Sequence, residues 1–194
     1  MTSKSIDGEM KSESTTSLRG LVYAALFGAA TAAGAYIIVP IPPVPITLQT
    51  LFLYLAGALL GGRLALLSQV VYLLLGIIGL PVFAGGKAGF GVLFGPTGGY
   101  LIGFLPAAYL IGKWNEMLKK PSFPGVLSSM IAGTIPVYLL GVLQLSFVAK
   151  LDLVKAVSVG MLPFLVGDGI KIVVATLLAG RLTGYVGIIG RQND

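Results

Sequence analysis

Leu162-Pro-Phe-Leu-Val-Gly-Asp168-Gly-Ile-Lys171-Ile-Val-Val-Ala175 sets two opposite charges inside an apolar stretch that continues to Gly180. The other ionisable residues lie outside the long apolar runs or at their edges. A charge at membrane depth costs at least ~2.5 kcal/mol on insertion scales, so such groups face a partner or a water-filled cavity. Three positions apart on a helix, the two side chains share a face and can pair. Two readings are open: a self-neutralising structural pair, or a buried polar ligand site.

Working outward, composition fixes the solvent. The 194 residues are 56% hydrophobic and only 10% charged, where soluble domains carry about 25% charged residues. That leaves too little polar surface to cover a soluble globule, and the expected class is an all-α integral membrane protein. Histidine and cysteine are both absent. Disulfides, thiol nucleophiles, histidine bases and the usual zinc or copper sites are thereby excluded, and no metal is expected. The formal charge of +6 is spread over short loops, which suits anionic headgroups of a lipid bilayer better than nucleic acid.

Residues 1–17 are rich in Ser, Thr, Lys and Glu and read as a disordered tail. They lack the pattern of a cleaved signal peptide, so the first apolar run is expected to stay as a membrane helix. A bilayer core of about 30 Å needs about 20 apolar residues per helix. Apolar runs at 18–39, 48–60, 64–80, 97–112, 123–148 and 157–180 give six expected spans. Prolines at 40–45 break the first connection, because they donate no backbone hydrogen bond and bias their predecessors to extended geometry. The expected organisation is a six-helix membrane domain over 18–181 between tails at 1–17 and 182–194. With six spans, one side carries nine of the lysines and arginines; the other has only Lys87, Lys150 and Lys155. This bias places both termini in the cytoplasm and the protein in the cell membrane. The segment at 40–45 and the glycine-rich stretch at 81–96 then face outward, as does the half of the last span holding Asp168 and Lys171.

Gly91, Gly95, Gly99 and Gly103 recur every four residues, as do Ala25, Ala29 and Ala33 on the first helix. In lipid, small residues at this spacing let helices approach closely. For the alanine stripe, internal packing and docking of another membrane protein are both open. The stretch 81–96 admits a re-entrant hairpin or a lid over a solute, since irregular backbone at membrane depth needs protein or a cavity around it. No phosphate-binding loop is present: Gly86-Lys87 is followed by alanine, and position 81 is proline. A serine nucleophile has no histidine base, and the spans hold a single acid, Asp168, so paired-carboxylate chemistry has no second member. The chain is not expected to be an enzyme. A transport subunit, a channel and a structural subunit remain.

Four motifs carry a resemblance. Pro40-Ile-Pro-Pro-Val-Pro-Ile-Thr-Leu-Gln-Thr-Leu-Phe52, Gly79-Leu-Pro-Val-Phe-Ala-Gly-Gly86, Leu93-Phe-Gly-Pro-Thr-Gly-Gly-Tyr-Leu-Ile-Gly-Phe104 and Gly167-Asp-Gly-Ile-Lys171 resemble the BioY family. Its members are biotin-binding S subunits of energy-coupling factor (ECF) transporters. The likeness spans about 18 to 181, with the motifs in family order. It implies a compact bundle of six transmembrane helices, the ECF S-subunit fold, with an outward-facing biotin pocket. It also implies partners: one transmembrane T subunit and two ATPase subunits, with the T subunit docking on a small-residue stripe that Ala25, Ala29 and Ala33 match. No cofactor is expected; biotin enters as the transported ligand.

Biotin offers two ureido N–H groups, a ureido carbonyl, an apolar ring and a valerate carboxylate. Asp168 suits the ureido donors. Lys171 either donates to the ureido carbonyl or pairs with Asp168 and holds it ionised. Phe83, Phe90 and Tyr100 are the expected apolar walls, Gly85 and Gly86 permit close backbone approach, and Lys87 meets the valerate. Gln49 and Thr47, at the mouth of the second span, complete the candidate set. Two alternatives to the ECF reading are a solo biotin carrier and a structural membrane subunit without ligand.

Overall fold

The protein is described by a computed structural model covering residues 18–118 and 121–183. The expected tail at 1–17 lies outside the described residues, as does 184–194 of the expected tail at 182–194. Among the described residues the chain forms seven α-helices: α1 Leu18–Gly34, α2 Gln49–Leu60, α3 Gly62–Ile77, α4 Gly98–Met117, α5 Phe123–Ala149, α6 Leu153–Gly160 and α7 Leu162–Leu182. One small ribbon departs from an all-α architecture, β1 Ile38–Val39 paired antiparallel with β2 Ile46–Thr47, with Ile38 opposite Thr47 and Val39 opposite Ile46.

The ribbon follows from local chemistry. Prolines at 40, 42, 43 and 45 cannot donate a helical hydrogen bond, so the chain turns back on itself here. The first helix stops at Gly34, five residues short of the expected end at 39, and residues 38–39 belong to the ribbon instead. Gly34 is also a crossing point: a Cβ there would stand 2.9 Å from the Phe52 ring on α2. The turn between α2 and α3 is made by Gly61 at φ 79°, a region that glycine enters without steric cost. Glu116 of α4 accepts from the Gly62 N–H at 2.7 Å, satisfying one of the unpaired donors at the start of α3.

The last apolar run, expected as one span from 157 to 180, is broken at Met161 (φ −130°, ψ −55°) into α6 and α7. Pro163 sits in the first turn of α7, where its missing N–H costs nothing. At eight residues, α6 is only about 12 Å long. The stretch at 79–97 is irregular, with two short 3₁₀ turns at Ala84–Gly86 and Phe90–Phe94.

Glycine spacing organises the most extensive helix contact, α4 on α5. A Cβ at Gly103 would stand 2.7 Å from the Val137 Cα, and one at Gly99 would stand 2.8 Å from the Gln144 Cβ. Only backbone fits there. Gly91, in the same sequence register, has open space around it. The outside of the bundle is apolar: Ile135, Leu139 and Phe147 on α5 and Val166 and Ile170 on α7 are all exposed. Polar Gln49, Ser68, Gln69, Asp168 and Lys171 are buried instead. That inversion suits lipid, which cannot hydrate polar groups. By length and hydropathy, α5 and α7 can each cross a membrane, and α1, α2 and α3 are apolar but shorter.

Candidate ligand cavity

A cavity of about 720 Å³, counting its open mouth, lies where α2, α4, α5 and α7 meet the ribbon and the irregular stretch. Most of its wall is apolar, supplied by Val44, Ile46, Val92, Leu101, Phe104, Val137 and Phe164 together with Phe83 and Tyr100. The polar groups are few: Thr47, Gln49, Thr50, Lys87, Thr97, Tyr138, Asp168 and Lys171. An apolar chamber with a handful of convergent polar groups is the usual form of a small-molecule site.

The centre of the polar side is the pair from the opening stretch. Lys171 Nζ donates to Asp168 Oδ1 at 2.7 Å and to Thr50 Oγ1 at 3.1 Å. The Thr50 hydroxyl in turn donates to Asp168 Oδ1 at 3.1 Å. The Tyr138 hydroxyl donates to Asp168 Oδ2. Asp168 and Lys171 are only 8% and 9% exposed, so their charges are stripped of most solvent. Such a pair persists because each charge has its counter-ion and further hydrogen bonds. The network joins three helices, α2, α5 and α7, on one wall.

Gln49 opens α2 and is buried. Its side-chain amide donates to the Tyr72 hydroxyl, and its Oε1 accepts from Thr47 Oγ1 at 2.8 Å. Phe83 is fully buried against Tyr72, ring centroids 5.7 Å apart and nearly perpendicular. From this anchor the loop returns tightly: the Phe83 N–H donates to the Lys87 carbonyl at 3.0 Å, and the Gly86 N–H donates to the Phe83 carbonyl at 3.0 Å. Lys87 thus stands at the exposed rim of the cavity.

Several expected site residues have other positions. Gly85 and Gly86 are outside the lining; both adopt φ 72° and form the turn that brings Lys87 back. Phe90 is also outside it, 58% exposed and edge-on to Phe94 at 5.1 Å. It begins the second 3₁₀ turn, which presents both rings outward. Tyr100 is part of the wall, but its hydroxyl donates to the Gly160 carbonyl at 2.7 Å and so ties α4 to the end of α6. Thr50, Tyr138, Phe104 and Phe164 line the cavity without having been singled out in the sequence. Tyr138 is 30 positions from Asp168 and Thr50 is 118 away, and no local spacing signals either contact. On α1, Ala25, Ala29 and Ala33 are exposed, while Ala24, Gly28 and Thr31 turn inward. Among the described residues no three potential metal ligands of the His, Cys, Asp and Glu types gather.

An apolar exterior around a chamber with a buried ion pair defines a membrane-embedded helical bundle built around a solute-sized space. The sequence model of the BioY family matches residues 8–187, and the chain belongs to that family. It is 48% identical over 165 residues to the biotin transporter BioY of Thermotoga maritima, covering 85% of this chain and 96% of that one. It is 41% identical over 160 residues to a probable biotin transporter BioY of Pyrococcus horikoshii, covering 82% and 93% respectively. Its fold is similar to the crystal structure of the S-component for biotin from an ECF-type ABC transporter, with TM-score 0.82 and 32% identity, covering 89% of this chain and 95% of that one.

Proposed function

We propose that the chain is the biotin-binding subunit of a vitamin uptake transporter, capturing biotin from outside and passing it inward with an ATP-driven ECF module. The observation that carries this reading is the buried Asp168–Lys171 pair on the wall of an otherwise apolar cavity. Asp168 accepts a ureido N–H and Lys171 donates to the ureido carbonyl. The thiophane ring packs among Phe83, Tyr100 and Phe104, and the valerate runs toward Lys87 at the rim. Hydrogen bonds to charged groups contribute about 1.5–3 kcal/mol each, which suits tight capture of a dilute vitamin. Gln49 holds the start of α2, and with it Thr50, in place. Gly85 and Gly86 act through the turn they make. Phe90 is left without a ligand role.

In this reading 18–181 is one membrane domain with six crossings, formed by the six longer helices. The short amphipathic α6 lies beside the crossing made by α7. Both termini are cytoplasmic, on the side that carries most of the lysines and arginines. The exposed stripe of Ala25, Ala29 and Ala33 docks the T subunit, and two ATPase subunits supply the energy. The chain has no catalytic role of its own.

Calorimetric titration of biotin into detergent-purified protein, wild type beside Asp168→Asn, tests the proposal. Tight binding to wild type with a loss of at least about tenfold in the variant is the expected result. Tight binding to both keeps biotin and removes the role given to Asp168. Folded wild-type protein that does not bind biotin returns the pair to a purely structural one.

A further inference from the structure

Hydrogen-bond valence around the ion pair is nearly used up, and what remains is asymmetric. A carboxylate has about four acceptor positions, two on each oxygen, and an ammonium has three N–H donors. Asp168 Oδ1 receives Lys171 at 2.7 Å and Thr50 at 3.1 Å, which fills it. Oδ2 receives the Tyr138 hydroxyl, so one acceptor position is left, on Oδ2. Lys171 has given two N–H groups, to Asp168 and to Thr50, and keeps one. The hydrogens of Thr50 and Tyr138 both point to Asp168, so neither hydroxyl can donate into the cavity.

We propose that Tyr138 is a specificity-determining residue: by occupying Asp168 Oδ2 it limits the pair to one acceptor beside one donor, the complement of a cyclic urea edge. The inference rests on the biotin reading and sharpens it to the head group. A urea offers N–H next to C=O in one plane, so the N–H reaches Oδ2 while the carbonyl oxygen receives the last Lys171 donor. A cyclic guanidinium of the same shape offers donors only. It finds a single acceptor position, leaves the Lys171 N–H unmet and brings a positive charge against the ammonium. Without the Tyr138 hydroxyl, Oδ2 exposes two acceptor positions and loses a donor that offsets its charge. Both changes favour a donor-rich cation over a neutral urea.

The test uses biotin and 2-iminobiotin, its guanidinium counterpart, at neutral pH on the full chain in detergent. Tyr138→Phe removes one oxygen and keeps the buried ring of this α5 residue in the core. Wild type is expected to prefer biotin by about a hundredfold or more. In Tyr138→Phe, biotin binding falls by about ten- to a hundredfold while 2-iminobiotin binding holds or rises, so the ratio contracts at least about tenfold. Equal proportional losses for the two ligands make Tyr138 a packing residue and overturn the inference. Wild-type protein that binds both ligands alike overturns it without any variant, which covers a Tyr138→Phe chain that fails to fold. Wild-type protein that binds neither brings down the biotin reading itself, whereas an unchanged ratio alongside tight biotin binding brings down only the role of Tyr138.

Discussion

Two of the buried polar clusters in this bundle are built differently. In one, Thr31, Ser68 and Gln69 meet between α1 and α3, all at 0% exposure. Their hydroxyls donate to their own helices, Thr31 to the Phe27 carbonyl at 2.9 Å and Ser68 to the Ala65 carbonyl at 2.7 Å. The Gln69 amide then bridges them, at 3.3 Å to Thr31 and 3.0 Å to Ser68. In the other, Thr50, Tyr138, Asp168 and Lys171 come from three helices and direct their hydrogen bonds at one carboxylate on a cavity wall. The first cluster fastens two helices and has no residue in the lining of the cavity described above. The second carries full charges on the cavity wall, and the hydrogen bonds it makes account for all but one Lys171 donor and one Asp168 acceptor position. Burial of polar groups therefore does not by itself mark a site; unused valence beside a chamber does.

The largest effect that would break this contrast is expected at Lys171. Lys171→Met leaves the Asp168 carboxylate buried without its counter-ion, which costs about 3–5 kcal/mol of stability. Thermal unfolding in detergent should show a clearly lowered midpoint, and biotin binding should be lost. The double change Asp168→Leu with Lys171→Met removes the uncompensated charge, so the midpoint recovers while binding does not. A double variant that still binds biotin would make the pair structural and erase the difference between the clusters.

A second effect separates capture from transport. The outward face of α1 carries Ala25, Ala29 and Ala33, whereas its inward face packs so closely that a Cβ at Gly28 would stand 2.8 Å from the Ser68 carbonyl oxygen. Ala29→Leu adds bulk only on the free face. Biotin titration should be unchanged within about twofold, a difference of roughly 0.4 kcal/mol, while uptake by cells expressing the ECF partners should be lost. Uptake that persists favours a solo carrier.

Local rules made much of this architecture legible. The prolines at 40–45 announce the first break, Gly61-Gly62 the second, and the glycines at 99 and 103 the close seam between α4 and α5. Asp168 and Lys171 stand out because nothing else charged lies so deep in an apolar run. The break at Met161 was not legible, because an apolar helix over 157–180 satisfies the same local pattern and Pro163 is tolerated in either. Thr50 and Tyr138 were not legible either. Their partner is distant in sequence, and a threonine or tyrosine in an apolar helix is ordinary until the fold brings it to a carboxylate. Phe90, expected as a wall from the resemblance, instead lies outside the cavity lining, because the turn that begins with it leaves the ring exposed.

The smallest expected effect sharpens the comparison from the other cluster. Gln69 Oε1 has no hydrogen-bond partner among the described residues, so the side chain already bears an unmet acceptor. Gln69→Leu keeps nearly the same volume and removes that acceptor, while the Thr31 and Ser68 hydroxyls keep their own backbone acceptors. The two lost amide hydrogen bonds contribute about 1 kcal/mol each, and the relieved desolvation is of similar size. Stability should therefore shift by no more than about 1 kcal/mol in either direction, read as a small change in the unfolding midpoint. Biotin affinity should stay within about threefold, or roughly 0.7 kcal/mol, because the α1–α3 seam shares no residue with the cavity wall. A tenfold loss of affinity with an unchanged midpoint would mean that this sealed cluster communicates with the ion pair. The distinction drawn from unused valence would then be wrong.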